Sequence, residues 1–199
     1  MKIDTYGGGV LAMKTRDLIL VALFAALTAI GAFIKIPIPP VPLSLQFLFC
    51  AFAGVLLGSK LGLYSQLLYV VIGLSGIPVF TNGGGISYVF QPTFGYLLGF
   101  ILCAFIIGKL TENLKVISFK NIFFPVVAGL TSVYLVGVPY LYMILNNYLG
   151  KNVPFFTVLK SGFLLFIIQD ICWSILIAFT ATKIIPSLRR AGYIHPKQI

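Results

Sequence analysis

The sequence predicts an all-α integral membrane protein, a bundle of about six membrane-spanning helices with both termini in the cytoplasm. Of its 199 residues, 59% are hydrophobic and only 9% are charged, whereas soluble domains carry about 25% charged residues. The basic residues stand between long apolar stretches, which is how membrane proteins set their orientation. At roughly 20 residues per spanning helix, the length has room for about six spans.

The charges mark out the elements in order. Span one covers about 16–34, between Arg16-Asp17 and Lys35. Its apolar stretch is longer than a signal h-region, and no small-x-small cleavage site follows it, so a retained span is expected. Next comes Pro37-Ile38-Pro39-Pro40-Val41-Pro42, which cannot be helix interior because each proline removes an N–H and restricts its predecessor. Span two covers about 44–58 and ends at Gly58-Ser59-Lys60. The 48 residues between Lys60 and Lys109 carry no charge, too many for one helix and about right for two. Span three is expected at about 61–74 and span four at about 93–109, with the break in the glycine- and proline-rich stretch 75–92. A polar loop with Glu112, Lys115 and Lys120 leads to span five, about 122–146, with Pro139 as a kink. Span six covers about 158–184. Residues 1–13, with Gly7-Gly8-Gly9, read as a flexible arm, 14–185 as the membrane domain and 186–199 as a basic cytoplasmic tail.

The basic residues test this topology. With both termini inside, Lys2, Lys14, Arg16, Lys60, Lys109, Lys115, Lys120, Lys183, Arg189, Arg190 and Lys197 are cytoplasmic, eleven of 14. Only Lys35, Lys151 and Lys160 lie outside. Such a bias requires an even number of spans. It also places the loops 36–43 and 75–92 outside. The second has no charge and is rich in glycine and aromatics, so it is expected to fold back over the bundle, either as a cover for a ligand or as an interfacial segment.

Several function classes are excluded. The net charge of +10 is not arranged as a basic patch interleaved with stacking aromatics, so no nucleic acid is expected as a partner. Cys50, Cys103 and Cys172 lie inside apolar stretches without CxxC spacing and read as free buried thiols. Gly83-Gly84-Gly85 is no phosphate loop, and no GxxxxGK[ST] occurs, so the chain does not hydrolyse ATP by that mechanism. The one histidine, His195, lies in the tail. No paired carboxylates, HExxH or GxSxG occur, and Tyr64-Ser65-Gln66 has no general base beside it. No enzyme, metal or cofactor is expected. A proton-coupled carrier would carry more intramembrane acids or an internal repeat.

Two patterns point toward function. Asp170 is the only acid within a predicted span, and an ionisable group at membrane depth usually faces a cavity or a partner. With Gln169, Cys172 and Trp173 it makes a polar and aromatic patch; Gln46 and Ser44 lie near the outer end of span two. A ligand site is one reading of Asp170, an internal ion pair with Lys35 or Lys160 the other. Ala22 and Ala26, and Ala25 and Ala29, are spaced four apart, so small residues form a stripe that another helix can approach closely, either a partner's or one of the same bundle.

The blocks Pro37–Gln46, Gly76-Ile77-Pro78-Val79-Phe80 followed by Gly83–Gly85, and Pro92-Thr93-Phe94-Gly95-Tyr96-Leu97-Leu98-Gly99-Phe100 resemble the BioY family, the biotin-specific substrate-binding subunits of energy-coupling factor transporters. The resemblance covers about residues 14–185. It implies a six-helix bundle in the prokaryotic cell membrane that binds biotin from outside under the loops 36–43 and 75–92. It also implies a transmembrane coupling protein, docked on the alanine stripe of span one, and two ATPase subunits that drive release. Carried over by position, Asp170 and Asn82 would hold the ureido ring, with Tyr88 and Gln46 as further polar contacts. Ser44 and Gln169 adjoin them, and Phe80, Phe90, Tyr96 and Trp173 would line the apolar remainder. Many members read Gly-Asp-x-x-Lys in the sixth span, whereas this chain has Gln169-Asp170-Ile171-Cys172-Trp173, which leaves the biotin carboxylate without that partner. Neutral groups, Lys35 or Lys160 are the alternatives for it. A substrate-binding subunit for another vitamin, and a structural or assembly membrane protein without a small ligand, remain as other readings.

Overall fold

The computed structural model describes residues 14–191. The predicted arm 1–13 and the end of the tail, 192–199, lie outside the described residues. The described part is mostly helical. α1 spans Thr15–Phe33 and buries Val21, Phe24, Ala25, Thr28, Gly31 and Ala32, a spacing of three and four that makes one helical face. Asp17 in its first turn suits the positive end of the helix dipole.

The proline segment is bracketed by a small antiparallel ribbon, β1 (Lys35–Ile36) and β2 (Leu43–Ser44), pairing Lys35 with Ser44 and Ile36 with Leu43. The four prolines fall in the connection, where no ladder donor is needed. The ribbon was not anticipated: two residues per strand are too few to show a period.

α2 covers Gln46–Leu74, the residues of two predicted spans, but the chain turns non-helical at Gly58, with φ 80° and ψ −176°. That backbone state is one glycine alone adopts readily. The two halves fold back on each other there. A Cβ built on Gly62 would lie 3.2 Å from the Gly54 Cα, whereas eight residues of straight helix would put them about 12 Å apart. The reversal is held from outside: Glu112 accepts from the Ser59 backbone N–H at 3.1 Å and from Ser59 Oγ at 2.7 Å, satisfying an otherwise orphan donor at the new helix start.

α3 covers Phe94–Thr111 and α4 covers Phe119–Met143, the latter capped by Ser118 Oγ and running unbroken past Pro139. A wider, π-type turn, Ile144–Tyr148, extends α4. α5 (Phe155–Leu159) leads through a second such turn, Lys160–Leu164, into α6 (Leu165–Arg190). α6 thus passes Pro186 and takes in residues expected as tail. Five of these helices are long and apolar enough to cross a membrane, counting α2 as one and α5 with α6 as one.

The bundle is apolar outside and partly polar inside. Leu18, Ile19, Leu135, Phe156 and Ile168 are exposed, while Thr28, Gln46, Ser65, Gln66, Thr93 and Ser174 are buried. That inversion suits a lipid surround, where close packing and internal hydrogen bonds hold helices together. Glycines set the closest approaches: a Cβ on Gly99 would meet the Val133 backbone at 2.8 Å, and one on Gly108 would meet Ser59 N at 2.3 Å. Cys50 and Cys103 are buried free thiols, but Cys172 is exposed, contrary to expectation. Two residues beyond Asp170, it falls on nearly the opposite face of α6.

Candidate functional site

A cavity opens where the ribbon, the 75–92 segment and α2, α3, α4 and α6 converge. Its lining includes Ser44, Gln46, Thr81, Thr93, Tyr96, Phe100, Tyr134, Phe166, Gln169 and Asp170. The polar groups are few and the walls are aromatic and aliphatic, the usual make-up of a small-molecule site.

Asp170 enters from α6. Tyr134 on α4 donates its phenolic O–H to Asp170 Oδ2, and Ser174 Oγ donates to the Asp170 backbone oxygen at 2.7 Å. A carboxylate offers about four acceptor positions, so one phenol leaves most of them open to the cavity. Among the described residues neither Lys35 nor Lys160 forms the expected alternative, an ion pair with Asp170, and Lys35 Nζ donates instead to the Thr81 carbonyl.

Two chains of hydrogen bonds tie the covering segments to the bundle. Ser44 Oγ donates to Gln46 Oε1 at 2.9 Å, Gln46 Nε2 donates to Tyr69 Oη at 2.8 Å, and Tyr69 Oη donates to the Val79 carbonyl at 3.0 Å. Gln169 Nε2 donates to the Ser44 carbonyl at 3.3 Å. The segment 75–92 is further pinned by Gly85 N–H on the Gly73 carbonyl at 2.7 Å and by Phe80 seated on Gly73, where a Cβ would come within 2.0 Å of the ring. The uncharged stretch therefore does fold back over the bundle.

The structure sorts the residues singled out in the sequence. Ser44, Gln46, Tyr96, Gln169 and Asp170 line the cavity together. Tyr96 also fixes the wider turn before α6, donating to the Gly162 carbonyl at 2.8 Å. Tyr88 is buried one layer behind, its hydroxyl 3.1 Å from Thr81 Oγ1 and 2.9 Å from Thr93 Oγ1, so it positions two residues that do line the cavity. Phe80 is buried beside it, with ring centroids 4.5 Å apart. Asn82 is exposed next to Thr81 and does not line the cavity. Phe90 is exposed and stacks on Tyr148 at 4.8 Å. Trp173 packs against the core rather than the cavity, and its indole N–H has no partner among the described residues. Tyr134, Thr81, Thr93 and Tyr69 belong to the site and were not anticipated.

The four alanines face two ways. Ala25 and Ala29 turn toward the bundle, whereas Ala22 and Ala26 are exposed beside Leu18, Ile19 and Leu23. The bundle-packing reading therefore applies to Ala25 and Ala29, while Ala22 and Ala26 stay exposed on the outer face.

A helical bundle with an apolar exterior, and a loop-covered cavity holding a single carboxylate, define a membrane protein built to enclose a small ligand. The sequence model of the BioY family matches residues 5–190, and the chain belongs to that family. It is 46% identical over 186 residues to a probable biotin transporter of Lysinibacillus sphaericus, covering 94% of this chain and 95% of the relative. It is 40% identical over 160 residues to a probable biotin transporter of Pyrococcus horikoshii, covering 80% and 90%. Among solved structures, the S-component for biotin from an ECF-type ABC transporter superposes with a TM-score of 0.76 at 29% identity, covering 92% of this chain and all of that one.

Proposed function

We propose that this chain is the biotin-binding subunit of an ECF-type uptake transporter. The observation that carries the reading is Asp170, a carboxylate inside an aromatic cavity roofed by two tethered loops, in a chain of the BioY family. Biotin combines a polar ureido ring, an apolar thiophane and chain, and an anionic tail. Asp170 accepts from a ureido N–H, a charge-assisted bond. Gln46 and the Thr81 and Thr93 hydroxyls supply further polar contacts, and Tyr88 holds both threonines in place. Asn82, exposed beside Thr81 on the same segment, is the further candidate donor to the ureido carbonyl. Tyr96, Phe100 and Phe166 enclose the apolar part.

The orientation that fits is both termini in the cytoplasm of a prokaryotic cell, with the ribbon and the 75–92 segment outside. Six membrane crossings give it, and the reversal at Gly58 supports that count by making α2 two crossings. The chain itself is a transport component and not an enzyme. A transmembrane coupling protein docks on the exposed Ala22/Ala26 stripe, and two ATPase subunits supply the energy. Heating the detergent-purified protein with and without biotin tests the reading: biotin raises the melting temperature, because a ligand that binds only the folded state stabilises it. No shift at saturating biotin contradicts it.

A further inference from the structure

We infer that Lys35 is the cation that receives the carboxylate of the bound ligand; this rests on the biotin reading above. Among the described residues, the cavity lining carries one acid, Asp170, and no Lys or Arg. An anionic ligand tail is therefore repelled from the Asp170 end and needs a positive group elsewhere. Lys35 stands at the seam of the two covering segments. It pairs with cavity-lining Ser44 across the ribbon, and its ammonium donates to the carbonyl of cavity-lining Thr81 on the opposite segment. An ammonium has three donors. One goes to Thr81, and that partner is neutral, so the charge of Lys35 meets no carboxylate among the described residues. Lys35 is also exposed, so its charge is open to a ligand that arrives from outside. With the ureido ring at Asp170 and the carboxylate at Lys35, the ligand bridges α6 and the ribbon, and a bound anion draws the ribbon and the 75–92 segment together through one ammonium.

Calorimetric titration of the purified protein with biotin and with its neutral primary amide tests this. The wild type should prefer biotin by about tenfold or more, the size of one charge-assisted hydrogen bond. Lys35→Gln should remove that preference by weakening biotin alone, and Lys160→Gln should leave it intact. Equal loss for both ligands in Lys35→Gln makes Lys35 only a tether for Thr81 and overturns the inference, as does an unchanged preference. If Lys35→Gln does not fold, the wild type and Lys160→Gln decide: equal affinity for both ligands in the wild type, or a preference lost with Lys160, overturns it. A wild type that binds neither compound sinks the biotin reading itself, a result distinct from binding both equally.

Discussion

Tyr134 on α4 donates its phenolic hydrogen bond to Asp170 on α6. This joins two helices across the cavity and fixes which carboxylate oxygen is left for a ligand. Burying a carboxylate costs stability unless it is hydrogen-bonded, and here a single neutral donor meets that need while leaving the other oxygen open. Tyr134→Phe should leave the protein folded but let the carboxylate rotate, weakening biotin by several-fold. The double variant with Asp170→Asn should be no worse than Asp170→Asn alone, because groups in one network are not additive. Titration of the three variants checks this; additive losses would show that Tyr134 contacts the ligand independently.

Gly73 is the seat of the covering segment. A Cβ there would come within 2.0 Å of the Phe80 ring, so Gly73→Ala should lift Phe80 and the 75–92 segment off α2. Biotin affinity should fall about tenfold or more, through faster dissociation, while the helical bundle stays intact by circular dichroism. A variant with wild-type dissociation kinetics would separate the segment from ligand retention.

Ala22 and Ala26 face outward. Ala22→Leu with Ala26→Leu should spare biotin binding and reduce co-purification with a coupling protein, since two isobutyl groups prevent close helix approach. Undiminished co-purification would remove this stripe from the interface. Lost folding would instead support packing of the stripe inside the bundle.

Ser87 is exposed on the 75–92 segment. In a background with Cys172, also exposed, replaced by serine, Ser87→Cys should react with an impermeant thiol reagent in intact cells. Labelling only after lysis would invert the topology.

How much of this was legible in the sequence follows from what kind of signal each feature leaves. α1, α3 and α4 are bracketed by charges or prolines, so their positions could be read within a few residues. The reversal in α2 was legible because Gly58-Ser59-Lys60 interrupts an apolar run. The wider turns at Ile144–Tyr148 and Lys160–Leu164 leave no mark, since they change hydrogen-bond register and not composition. Asp170 stood out as a lone acid in a span, whereas Tyr134 is one of ten tyrosines and gains meaning only from the α4–α6 contact. Which residue of 75–92 turns inward depends on backbone twists at Gly83 (φ 115°) and Gly85 (φ 100°). Spacing alone cannot supply those twists, and so cannot tell that Thr81 lines the cavity and Asn82 beside it does not. The four alanines show the same limit: periodicity finds two pairs, but only packing tells which pair is free.

The most direct test of the account is equilibrium titration of biotin into the purified solitary chain and its Asp170→Asn variant. The wild type should bind saturably at one site. The variant should lose about ten- to a hundredfold in affinity, the equivalent of roughly 1.5–3 kcal/mol for one charge-assisted bond, without any fall in the melting temperature of the unliganded protein. Wild-type affinity in Asp170→Asn, or a variant that loses apo stability while keeping its affinity, would contradict Asp170 as the residue that holds the ligand.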